Sequence, residues 1–132
     1  MIDIINQKFM EDIYGTWPSF HDAEIHELKL SRSKDKPNPS LELIINVFQS
    51  TPEIDEKGYY KKINNCLVTL RFDNIEDLKL EGFNHQNVLW ELDIKEAQKD
   101  SLIQVTMETS YGCWGEFLCK EVIVVEVQDY ID

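Results

Sequence analysis

Two hydrophobic periods divide the chain. Over residues 1–14 the apolar side chains Ile2, Ile5, Phe9 and Ile13 recur at intervals of three and four, which predicts one short amphipathic helix with that stripe turned to the core. Asp3, Asn6 and Glu11 take its wetter sides, and Gly15 closes it. A helix of about fourteen residues is marginal alone in water, so it must lie against a sheet. From Ile25 onward the period is two, the mark of strands with one buried face.

Leu28 and Leu30 alternate with Glu27 and Lys29, and the stretch Ser31 to Ser40, with two prolines and alternating charge, predicts a surface connection. Leu41, Leu43, Ile45 and Val47 share one face while Ile44 and Phe48 occupy the other, so this strand is expected to be central and covered on much of both sides. Gln49 to Lys62 reads as a polar loop, long for a hairpin. Cys66, Val68, Leu70 and Phe72 line a third strand that ends at Asp73-Asn74, and a short segment bears Leu78 and Leu80. After a turn at Gly82 and Asn84, Val88, Trp90, Leu92 and Ile94 alternate with Leu89, Glu91, Asp93 and Lys95, and Ile103, Val105 and Met107 with Gln104, Thr106 and Glu108. Tyr111-Gly112-Cys113-Trp114-Gly115 has the glycines of a tight connection. The last run, Phe117 to Val127, holds four successive aliphatics, which call for a doubly buried strand or a bulge. The whole predicts an α+β, mostly β fold: an antiparallel sheet of about six or seven strands, curled or folded into a sandwich, with one N-terminal helix, residues 1–132 forming a single domain.

The helical and strand patterns meet at Trp17-Pro18-Ser19-Phe20-His21-Asp22-Ala23-Glu24-Ile25. Pro18 lacks an N–H and holds Trp17 extended, so the helix cannot pass through it. In an extended chain Asp22, Glu24 and His26 then face one side, and His21, Ala23 and Ile25 the other. This acidic side raises the question of a metal, but residues four apart in a strand lie about 13 Å apart, and His85 would have to complete the set from a loop. Ser19 with His21, or a thiol with a histidine, offers no located nucleophile and base, and no phosphate-binding loop, nucleophile elbow or zinc-protease helix is present. The reading taken instead gives Trp17 and Phe20 to the core and has one side chain of His21-Asp22, with Asp particularly suited, fix the turn after Pro18 by bonding backbone groups.

Charge narrows the partners. Twenty-five acidic against thirteen basic residues give a formal charge of −12, which opposes nucleic acid and anionic membranes and favours a basic protein partner. Glu53, Asp55, Glu56, Tyr59 and Tyr60 set aromatic anchors among acids and are the candidate partner-binding residues. Cys66, Cys113 and Cys119 form an odd set without a C-x-x-C pair, so reduced thiols are expected and no metal or other cofactor. The start Met1-Ile2-Asp3 has no basic leader, and the longest aliphatic run, Val122 to Val125, is far too short to span a bilayer; a cytoplasmic protein is expected.

The run from Trp17 to Ile25, preceded by a short helix and followed by strands, resembles the start of the immunity protein 50 family, antidotes of bacterial polymorphic toxins, with looser agreement over Gly112 to Phe117. The resemblance implies a mostly β fold, no catalysis and a cognate protein toxin as ligand, with Trp17, Pro18, Phe20, His21, Asp22 and Glu24 as the family motif, structural or binding. The expected function is neutralisation of that toxin by occluding its active or substrate-binding surface. The alternatives are a small metal-dependent enzyme using Asp22, Glu24 and His26, and a non-enzymatic adaptor domain.

Overall fold

The computed structural model describes residues 2–32, 38–98 and 101–130. Helix α1 (Gln7–Tyr14) precedes β1 (Glu24–Ser31), β2 (Ser40–Ile54), β3 (Tyr60–Asp73), β4 (Glu76–Glu81), β5 (Val88–Glu96), β6 (Ile103–Tyr111), β7 (Trp114–Cys119) and β8 (Glu121–Asp129). All eight join one antiparallel sheet in the order β4-β7-β6-β5-β1-β2-β3-β8. Among the described residues the fold is thus mostly β with one helix, as expected, with eight strands rather than six or seven. The segment of Leu78 and Leu80 is a true edge strand, and the run from Phe117 to Val127 is two strands parted at Lys120. The connection expected between Ser31 and Ser40 falls largely on residues 33–37, outside the described residues.

Chain connectivity bends this open sheet. β3 and β4 stand near opposite ends of the order yet are joined by Asn74 and Ile75 alone; β7 and β8, also far apart in it, are joined by Lys120. Links this short force the two halves, β4-β7-β6-β5 and β1-β2-β3-β8, to fold over each other at that corner. Lys120 N–H donates to the Asp73 carbonyl at 3.0 Å there, and Phe72 of β3 meets Phe117 of β7 edge to face at 5.1 Å between ring centroids. The inner faces of both halves supply one core, including Leu43, Val68, Leu70, Val105, Met107 and Val124.

Bulges reset the alternation where the sheet bends. In β8 the pairs Leu70–Val124 and Thr69–Glu126 leave Val125 as the extra residue, and it is exposed while Val122 and Val124 are buried; the four aliphatics therefore mark a bulge. In β5 the extra residue is Trp90, so Trp90 points to solvent while Leu89 and Leu92 are buried, contrary to the strict alternation expected there.

The helix is shorter and turned differently from the reading of its stripe. Met10 and Tyr14 are its buried residues, whereas Ile5 and Phe9 are exposed. Residues 2–5 are spent otherwise. Ile5 bridges Ile123 in parallel, donating its N–H to Val122 O and accepting from Val124 N–H, both at 2.9 Å. The segment thereby covers the free edge of β8, where unpaired backbone groups would invite aggregation. Gly15 ends the helix at φ 84, its N–H bonded to Glu11 O.

Candidate partner-binding site

β2 and β3 are the longest strands, at 15 and 14 residues, and their neighbours stop short of their far ends. β1 pairs with β2 between Ser40 and Asn46, and β8 with β3 between Cys66 and Asp73. The stretch 50–63, all but Ile63 of it within the segment expected to be a loop, is instead a two-stranded ribbon projecting from the sheet, with every residue exposed except half-buried Thr51. The chain pairs there because Asp55-Glu56-Lys57-Gly58 is hairpin-turn chemistry. Asp55 Oδ1 accepts the N–H groups of Lys57 at 2.9 Å and Tyr59 at 3.0 Å. Asp55 N–H donates to Tyr59 O at 2.8 Å, and Gly58 takes φ 83, which glycine adopts without strain.

A ribbon of two strands is marginal unless braced, and α1 braces this one at its root. The Tyr14 hydroxyl donates to the carbonyls of Val47 (3.1 Å) and Asn64 (3.0 Å). Burial holds its pKa above the ordinary phenol value, keeping the donor proton in place. Gln49 Nε2 donates to Tyr14 O, and Asn64 Nδ2 to Ile13 O and Gln49 Oε1. Beyond this root the ribbon offers Ile54 at 61% exposure, Tyr59 at 69%, Tyr60 at 64% and Ile63 at 46%, an apolar display that folding alone does not need. Ile54 and Tyr60 are direct cross-strand partners and share a side.

The candidate partner residues Glu53, Asp55, Glu56, Tyr59 and Tyr60 are therefore gathered at one tip, but not on equal terms. Asp55 is committed to the turn. The three acids at the tip are matched by Lys57, Lys61 and Lys62, so residues 50–63 carry no net charge and the −12 of the chain resides elsewhere. Part of it lies on the outer face of β5, β6 and β7, where Glu91 stands directly opposite Glu108, with Asp93 and Glu116 beside them. Sequence reading missed Ile54, Ile63 and the Tyr14 brace; the turn signal at Asp55 and Gly58 was the available clue to the ribbon.

The junction motif serves the sheet. Glu24 is the residue through which β1 pairs both β2, at Asn46, and β5, at Val88. Around it Asp22 N–H donates to Leu89 O, Leu89 N–H to Ala23 O, Ile25 N–H to Asn87 O and Leu92 N–H to Ser19 O, at 2.8 to 3.3 Å. The motif is thus the seam between the two halves of the sheet. Phe20 is buried as expected, and Trp17 meets it edge to face while only partly buried. The turn is not fixed by the Asp22 side chain, which is exposed. It rests on left-handed backbone at Phe20 and Asp22 (φ 66 each), on the Ser19 Oγ accepting His21 N–H at 3.2 Å, and on the other member of the pair, His21, whose ring Nδ1 lies 3.0 Å from the Trp90 carbonyl oxygen.

Asp22, Glu24 and His26 do not form the single strand face expected of them. Asp22 lies in the turn, and His26 is the extra residue of a bulge between Ile25 and Glu27. The three histidines go separate ways, each edge to face with an aromatic ring: His21 with Trp90, His26 with Tyr130 and His85 with Tyr111. Among the described residues, no three His, Cys, Asp or Glu side chains are placed to hold one metal ion. The cysteines are free and buried. Burial, with the Asp73 charge adding to it, pushes the Cys119 thiol up to about 12, and burial raises Cys113 as well, so neither is an activated nucleophile. No described helix is long and apolar enough to cross a membrane.

The family model Immunity protein 50 matches residues 6–130 of the chain. No curated protein and no solved structure matches it.

Proposed function

We propose that this chain, which belongs to the immunity protein 50 family, binds a cognate protein toxin in the cytoplasm and neutralises it without catalysis by occluding its active or substrate-binding surface. The family supplies the immunity role. The observation that carries the binding reading is the braced ribbon with Tyr59 and Tyr60 exposed at its tip. Tyrosines are favoured anchors because they bury a large area at little entropic cost, and Glu53 and Glu56 beside them would meet cationic groups at the rim. The net charge of −12 favours a basic toxin and speeds encounter with it at low salt.

The test begins by identifying a toxin-encoding reading frame next to this one and co-expressing its product with this chain. The two proteins should co-purify, and cells expressing the toxin should survive only with this chain present. A toxin that kills equally with and without it would sink the proposal.

A further inference from the structure

We infer that the projecting ribbon inserts into a concave site of a cationic protein partner and binds through its side-chain faces, with Ile54, Tyr60 and Ile63 as contact residues, and that it does not bind by strand addition. This mode rests on the toxin-binding reading above and says how such a complex is made.

Shape comes first. Between the pairs Ser50–Lys62 and Ile54–Tyr60, β2 spends four steps where β3 spends two, so at about 3.3 Å per residue the arm reaches roughly 7 Å from its root to its last pair, with the Asp55 turn beyond it. A narrow convex element of that reach matches a cleft better than a flat surface, because only a cleft covers both of its faces. Apolar and aromatic side chains lie on both: Ile54 and Tyr60 as direct partners on one, and Ile63, three positions along β3 from Tyr60, on the other. Lys62 on the first face lies over the Phe48 ring, 4.2 Å from its centroid, and screens that ring at the root.

Strand addition needs a clean edge, and both edges here are guarded. Pro52 on β2 has no N–H to donate, and Lys61 and Lys62 stand side by side on β3. Proline and lysine are the residues that keep free edges from recruiting other strands. The strands' faces carry the apolar area that their edges lack.

Charge selects the occupant. A second copy would bring −12 against −12, while the arm, neutral over residues 50–63, could do nothing to offset it. A cationic partner is drawn by the acidic body and then meets an arm that adds no repulsion of its own. The body steers, and the arm anchors.

The experiment measures binding of the adjacent-frame toxin, by surface kinetics, to the full chain and to two altered forms. In the first, an Asn-Gly turn replaces residues 50–63 between Gln49 and Asn64; thermal unfolding confirms its fold. In the second, Ile54→Ala and Tyr60→Ala are combined, both at exposed positions, so the fold is retained even if the first form is not. Excision should weaken binding by roughly 100-fold or more, and the double substitution by about 10-fold or more, mainly through faster dissociation. Excision without loss would overturn the arm as the binding element. Loss on excision with full affinity in the double variant would mean that Ile54 and Tyr60 are not contacts, and would overturn insertion by the faces as proposed. An arm-dependent dimer of this chain in sedimentation would overturn the choice of occupant. If the unaltered chain does not bind the toxin, it is the proposed function that fails.

Discussion

The inner and outer parts of the β2–β3 hairpin are one pair of strands with two different physical fates. From Leu41 to Val47 against Cys66 to Phe72, alternate residues are buried almost completely, because β1, β8 and the opposite half of the sheet cover them. Beyond Ser50 the same ladder continues with no neighbour, and Ile54, Tyr59, Tyr60 and Ile63 are left in water. Pairing is therefore not what separates core from candidate interface. Cover is, and the outer part keeps apolar side chains that bring folding almost nothing.

That contrast predicts a steep gradient of stability effects along one hairpin. Phe72→Ala, which removes a fully buried ring packed on Phe117, should cost about 3 to 5 kcal/mol in denaturant unfolding. A cost near that of a surface substitution would show that the two halves of the sheet do not close over each other.

At the boundary, Tyr14→Phe keeps the ring and removes the hydroxyl that donates to Val47 O and Asn64 O. One buried and one partly buried carbonyl lose a partner, so the expected cost is about 1 to 2 kcal/mol. Amide exchange should rise in residues 50–63 more than in the rest of the sheet, since α1 would no longer hold their root. Equal exchange everywhere would mean that the helix does not brace the arm.

The smallest effect is expected at the tip. The combined Ile54→Ala and Tyr60→Ala changes should leave unfolding within about 0.5 kcal/mol of the parent chain, although the same pair is expected to weaken partner binding. A large loss of stability would make these side chains part of the fold and remove the reason to regard them as an interface.

Much of the fold was legible because burial writes itself into alternation. The strands at Leu41 to Val47, Cys66 to Phe72 and Ile103 to Met107 stand where the period of two placed them, with the expected faces inward. Errors gathered at breaks in the period. Trp90 and His26 are bulge residues, and one extra residue turns every later side chain of a strand to the other face. The helix stripe misled because Ile2 and Ile5 satisfy the same spacing while serving an extended segment along β8. The tip was read as a polar loop because charged residues crowd it, and only the Asp55 turn tells hairpin from coil.

By itself, the sequence determined a mostly β chain with one short helix stopped ahead of Pro18, cysteines without ligand spacing and a strongly acidic composition, because each of these depends on local propensity, spacing or composition. The tertiary structure alone decided that the junction from Trp17 to Glu24 is a seam between two halves of a sheet, that Tyr14 braces β2 and β3, and that residues 50–63 stand clear of the core. Those facts depend on which strands become neighbours, and neighbours here are chosen by contacts such as Glu24 with Val88 and Phe72 with Phe117, far apart in the chain. No local pattern records such pairings, since a strand's alternation states only that something covers one face and leaves open what does.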